Sequence, residues 1–159
     1  TLDIERIRKT LESTSKEDFN NAVDKIISCN AIYIIGARSA APLASFLNYY
    51  FTMIFPNVRL IKNTTTSEIF EQVMHIDEKD VIIGISFPRY SKQTSKILEY
   101  ASNSGANVIA ITDSVDSPLA QYADNLLLVR ETSEGASSGY VRGAQVYFIQ
   151  AGFTISGRV

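Results

Sequence analysis

The chain has 159 residues, 45% of them hydrophobic, with a formal net charge of −2, one cysteine and one histidine. That length fits one compact domain with an ordinary core, and the charge gives no broad attraction to nucleic acid. Cys29 alone excludes an internal disulfide, neither it nor His75 has the neighbours of a zinc site, and no apolar run of about 18 residues marks a membrane span. No basic-then-apolar signal segment opens the chain, so a soluble cytoplasmic protein is expected.

Residues 2–13 place Ile4, Ile7 and Leu11 at helical spacing; the basic cluster Arg6, Arg8 and Lys9 alternates with Glu5 and Glu12 and reads as a solvated face. Ser15 with Asp18 three residues on is a capping signal, and Phe19, Ala22, Val23, Ile26 and Ile27 mark a second helix. Strand and helix then alternate. Strands are expected at 31–35, 58–61, 80–85, 108–111 and 125–129. Helices are expected at 39–55, with Pro42 in the first turn, at 67–76, and at 91–104, with Gly105 as the stop. A short helix capped by Ser117 is expected to pass through Leu119 and Tyr122. After Arg130 glycine becomes frequent and the periodicity is poor; 144–149 can be drawn as a strand or a broken helix.

This alternation indicates an α/β fold: a mainly parallel sheet with right-handed crossovers and helices on both faces. In the order 2-1-3-4-5 the sheet reverses between strands one and three, and ligands bind outside the strand ends at such a point. Strand one ends at Gly36-Ala37-Arg38-Ser39 and strand three at Ser86-Phe87-Pro88-Arg89-Tyr90-Ser91. Hydroxyls, arginines and a helix start gathered at one spot suit a phosphate. Spacing alone leaves a second explanation: Ser91 and Ser39 as helix N-caps and Ser86 closing a turn. Glu68 could bind sugar hydroxyls or act as a base, or it could complement its helix dipole. Asp113 and Asp116 read as turn and cap residues. A single glycine at 36 and no acid after strand two disfavour a dinucleotide site. Neither loop carries the carboxylates of a receiver-type phosphorylation site. Tyr49, Tyr50, Phe51 and Phe55 make one helix apolar almost all round, which points to burial against another subunit.

Ile32-Tyr33-Ile34-Ile35-Gly36-Ala37-Arg38-Ser39-Ala40-Ala41 and Gly84-Ile85-Ser86-Phe87-Pro88-Arg89-Tyr90-Ser91 resemble the sugar isomerase (SIS) domain, and more narrowly that of RpiR-type bacterial transcriptional regulators. Ser67-Glu68-Ile69-Phe70-Glu71-Gln72, Val108-Ile109-Ala110-Ile111-Thr112-Asp113-Ser114 and Ser117-Pro118-Leu119-Ala120-Gln121-Tyr122-Ala123-Asp124 resemble the same group. The resemblance implies a flavodoxin-like three-layer sandwich with a five-stranded parallel sheet. It also implies a phosphosugar site at Arg38, Ser39, Glu68, Ser86, Arg89 and Ser91. Many SIS proteins carry Ser-x-Ser-Gly-x-Thr after strand three; here Ser86 and Ser91 keep the outer hydroxyls, while Pro88 and Arg89 replace the central Ser-Gly. The expected organisation is connector helices at 1–28, the SIS domain at 29–130 and an atypical tail at 131–159. The expected role is a sugar-phosphate sensor, homodimeric or homotetrameric, with no cofactor, reaching DNA only through a helix-turn-helix domain absent from this chain. The runner-up is aldose–ketose isomerisation of a phosphosugar, with Glu68 as the candidate base.

Overall fold

A computed structural model describes residues 15–62 and 64–129. In chain order these form α1 (Lys16–Ser28), β1 (Ile32–Gly36), a 3₁₀ turn (Arg38–Ala40), α2 (Ala41–Ile54), β2 (Val58–Leu60), α3 (Thr66–Val73), β3 (Val81–Ile85), α4 (Lys92–Asn103), β4 (Asn107–Thr112), a second 3₁₀ turn (Ala120–Tyr122) and β5 (Asn125–Leu128). The expected helix at 2–13 and the alternatives at 144–149 lie outside the described residues.

The five strands form one parallel sheet in the order β2-β1-β3-β4-β5. Strand residues alternate between faces. Ile32, Ile34, Ile83, Ile85, Ile109 and Ile111 pack with Phe19 and Val23 of α1 and Leu43, Leu47 and Phe51 of α2. Tyr33, Ile35, Ile82, Val108 and Ala110 pack with Ile69 and Val73 of α3 and Ile97, Leu98 and Ala101 of α4. Every residue of β1 and β3 is buried, as a parallel sheet covered on both faces requires. The result is the expected three-layer sandwich.

Local chemistry sets the helix ends. The Ser15 hydroxyl accepts the Asp18 N–H at 3.2 Å. Pro42 falls in the first turn of α2, where its missing N–H costs nothing. Gly105, at φ +87°, ends α4 in the left-handed conformation that glycine tolerates. At α3, Thr65 and Glu68 form a reciprocal capping box. Bonds from the Thr64 hydroxyl, the Thr65 N–H and the Thr65 side chain hold the exposed Glu68 carboxyl below its ordinary value. Cys29 ends α1 half-buried, its thiol donating to the Ile26 carbonyl at 3.2 Å. Burial, with Asp80 nearby, pushes that thiol up to about 11, so it stays protonated at neutral pH.

The segment after β4 departs from expectation. No α-helix forms there; i→i+3 bonds from Ala120 N–H to Ser117 O, Tyr122 N–H to Leu119 O and Ala123 N–H to Ala120 O wind tight turns and one 3₁₀ turn. The Ser117 hydroxyl caps nothing: it is buried without a hydrogen-bond partner. The chain must re-enter the sheet at Asn125, which leaves no room for a longer helix. On α3 the last turn is also shorter than expected, ending at Val73.

Two glycines set the helix–sheet spacing. A Cβ on Gly36 would lie 2.8 Å from the Ala40 carbonyl oxygen, and one on Gly84 would lie 2.6 and 2.9 Å from the Leu98 methyls. Gly36→Ala and Gly84→Ala are each expected to cost about 1–3 kcal/mol. Gly36→Ala should be the costlier, since backbone yields less than a leucine; urea denaturation giving the reverse order would contradict this packing. For Glu68 the folded carboxyl is depressed, so its stabilisation is complete above the ordinary value of 4.5 and is lost as pH falls through the lower folded value. The difference in melting temperature between wild type and Glu68→Ala should therefore be constant near neutrality and shrink on acidification. A difference that grows in acid would refute the capping role.

Candidate functional site

β1 and β3 pair in register to their last residues, Gly36 opposite Ile85, so the loops that follow leave the sheet side by side. They also touch: Arg38 Nη1 donates to the Arg89 carbonyl at 3.3 Å. Both arginines hold a left-handed backbone, Arg38 at φ +56° and Arg89 at φ +73°. That conformation costs a residue with a side chain about 1–2 kcal/mol, and such strain gathers at functional sites. Arg89 stands where the SIS pattern has glycine.

Inside this loop the serines are buried, Ser86 at 4% and Ser91 at 7% exposure. The Ser86 hydroxyl accepts the Ser91 N–H at 3.3 Å, and the Ser91 hydroxyl accepts the Thr94 N–H at 3.2 Å. Ser91 is therefore the N-cap of α4 and Ser86 the closure of the loop. Capping does not consume the hydroxyls, since one that accepts keeps its own hydrogen to donate. The cap also leaves the amides of Lys92 and Gln93 as first-turn donors without an intrahelical partner, at the positive end of the helix dipole. Thr94, fully buried, has a hydroxyl without a partner in this turn.

Ser39 lies exposed on the 3₁₀ turn, one residue before the true N-cap of α2, Ala40, which makes no side-chain cap bond. Its expected capping alternative is thus not realised. The hydrogen bonds that shift Glu68 run to its own cap residues rather than to either arginine loop. Gln72 braces the same region by bonding both the N–H and the carbonyl of Lys62.

One pair escaped the sequence. The Tyr90 hydroxyl donates to Asp113 Oδ1 at 2.6 Å, and the Thr112 hydroxyl reaches the same oxygen at 3.2 Å. Asp113 is thus more than a turn residue: it joins the loop after β3 to the end of β4. A carboxylate at the tip of the neighbouring strand was the available signal. Beside this loop an open groove of about 370 Å³ is lined by Tyr90, Ser91, Lys92, Lys96, Pro118 and Tyr122, a volume within the range of small-ligand sites. By contrast, the cavity between α1, α2 and the sheet is lined by apolar residues such as Val23, Leu47 and Ile83 and offers nothing to an anion. Among the described residues no group of three or more His, Cys, Asp or Glu could hold a metal ion, and no helix is long and apolar enough to cross a membrane.

Comparison with known proteins places this geometry. The chain is 32% identical over 78 residues to an uncharacterized HTH-type transcriptional regulator of Haemophilus influenzae, covering 49% of this chain and 27% of the relative. It is 28% identical over 101 residues to one from Clostridium perfringens, covering 64% and 36%. The chain thus spans well under half the length of these curated relatives. Among solved structures, the sugar isomerase domain of an RpiR transcription factor from Sphaerobacter thermophilus superposes with a TM-score of 0.82 at 25% identity, covering 98% of this chain and 88% of that one. The Vibrio vulnificus NanR protein complexed with ManNAc-6P gives 0.86 at 14%, covering 98% and 60%. Phosphoheptose isomerase GmhA from Neisseria gonorrhoeae gives 0.82 at 17%, covering 98% and 93%. The SIS domain model matches residues 25–154. Since that match takes in both arginine loops, all five strands and most of the chain, the chain belongs to the SIS domain family.

Proposed function

We propose that this chain is the phosphosugar-binding effector domain of an RpiR-type bacterial transcriptional regulator, with DNA bound by a part of the protein outside this chain. One observation carries the reading: two strand ends deliver Arg38, Arg89 and the capped N-terminus of α4 to a single place. A phosphoryl group there would take charge-assisted bonds from the guanidiniums. It would take further bonds from the Lys92 and Gln93 amides and from the Ser86 and Ser91 hydroxyls. Ser39 and Glu68, from the flanking helix starts, are proposed to meet the sugar. The HTH-type regulators and the RpiR domain among the similar proteins support the regulatory role; the fold shared with a protein complexed with ManNAc-6P supports the ligand class. To act as a switch, the ligand must favour one assembly geometry over another.

Oligomerisation has a surface to use. α2 buries Leu43, Ala44, Leu47 and Phe51 against the sheet yet leaves Tyr49 and Met53 more than 60% exposed, with Tyr50 and Ile54 beside them. An apolar stripe of this kind marks an interaction site, and we assign it to a homodimer or homotetramer.

An isomerase reading also has support, in the fold shared with phosphoheptose isomerase. Its candidate base is Glu68, whose carboxyl is held below the ordinary range by its cap bonds. That carboxylate is engaged as the reciprocal partner of the Thr65 N-cap, accepting its N–H at 3.1 Å, and so is tied to a structural role. This favours the sensor.

A thermal-shift panel of sugar phosphates, their unphosphorylated parents and inorganic phosphate tests the site. At a hundredfold excess over Kd, a ligand of the native state adds about 2.7 kcal/mol, several degrees in melting temperature for a chain of this size. At least one sugar phosphate should do this while its parent sugar does not, and Arg89→Ala should abolish most of the shift. No shift across the panel, or an undiminished shift in Arg89→Ala, would defeat the sensor reading. Turnover of a sugar phosphate that vanishes in Glu68→Gln would instead establish the isomerase. Separately, Tyr49→Lys with Met53→Lys should convert the assembly to monomer by light scattering without unfolding it; an unchanged mass would remove α2 from the interface.

A further inference from the structure

We propose that Tyr90 and Asp113 form a latch that positions the Arg89 guanidinium for anion binding, an inference that rests on the phosphosugar reading of the site. Arg89 occupies a backbone conformation, φ +73°, that suits glycine. Left alone, an arginine would relax to negative φ and carry its side chain elsewhere. Two bonds on adjoining residues oppose this from opposite sides of β3. From the β1 side, Arg38 Nη1 grips the Arg89 carbonyl at 3.3 Å. From the β4 side, the Tyr90 hydroxyl is drawn to Asp113 Oδ1 at 2.6 Å, the short separation of a charge-assisted bond. Asp113 is itself anchored, since it directly follows β4 and the same oxygen accepts the Thr112 hydroxyl. The first bond belongs to a long exposed side chain; the second is part-buried and short, so it is the firmer of the two holds. Tyr90 also lines the groove beside Ser91 and Lys92, which puts the latch next to the N-terminus of α4. Tyr90 and Asp113 are positioning residues: they act through Arg89.

The test separates the latch from the ligand. Without ligand, hydrogen exchange of the amides of Arg89, Tyr90 and Ser91 should quicken about tenfold or more in Tyr90→Phe, the loss of one charge-assisted bond. It should quicken less in Asp113→Asn, which keeps an acceptor oxygen. With inorganic phosphate as the probe in an NMR titration, Tyr90→Phe should weaken binding about tenfold when Arg89 is present. It should have no effect in the Arg89→Gly background, where there is no guanidinium to position and no strain to hold. Arg89→Gly itself should raise the melting temperature while weakening phosphate binding, a split that a purely structural arginine would not give. Unchanged exchange in Tyr90→Phe, or an equal loss of phosphate affinity in both backgrounds, overturns the latch. If the wild type binds neither phosphate nor any sugar phosphate, the functional reading fails, and the exchange measurement still decides whether the latch holds the loop.

Discussion

The parallel pairing of β1 with β3, kept in register through Gly36 and Ile85, is the constraint on which everything else rests. It brings together two loops that are some 50 positions apart in the chain. The rigidity of the second loop follows from the same lattice: beyond the end of β3, the Ser86 N–H still bonds the Ile111 carbonyl at 3.1 Å. The loop therefore starts from a fixed point, and the short span to the Ser91 cap leaves it few conformations. A register slip would move Gly36 and Gly84 away from the Ala40 and Leu98 contacts that leave no room for a side chain, so packing fixes the pairing. Order at the loop tips is inherited from the core.

What the core provides, the tips consume. Two arginines in left-handed conformation and a buried, unpartnered Thr94 hydroxyl run against local preference. The Ser117 hydroxyl and one oxygen of Asp80 are buried without a partner as well, while most other caps, strands and core positions agree, as in sequences that fold to one state. Both left-handed arginines lie on the two loops that β1 and β3 bring side by side, where local preference yields to the geometry of the loop.

Much of this was legible in the amino acids because it is local. Apolar periodicity gave the five strands and the main helices, and Ser15, Ser91 and Gly105 marked helix ends through bonds that span three or four residues. The topology was legible through general rules of handedness and crossover. Ser117 and Pro118 misled because a capping pair states where a helix could begin and not how far it can run; the return to β5 cut it to a 3₁₀ turn. Ser39 misled in a similar way, because a 3₁₀ turn intervened before the true start of α2. Of the Tyr90–Asp113 bond only the acceptor was legible, as a carboxylate at a strand end. The bond spans 23 positions, and nothing in either residue announces the other. The left-handed arginines were equally hidden, since arginine carries no preference for positive φ. Spacing left the role of the loop serines open between capping and anion contact, and the geometry shows that the first does not exclude the second.

The close seating of α4 has a consequence for how specificity drifts. Leu98 rests directly on Gly84, with no side chain between helix and sheet at that point. The height of the whole helix is thus set by a core position that touches no solvent, and the first turn of that helix rises and falls with it. A change at position 84 would shift the Ser91 cap and the groove wall while every groove-lining residue stayed the same. The shape of this groove can thus be altered from beneath, and a comparison of its visible walls alone would score such variants as identical.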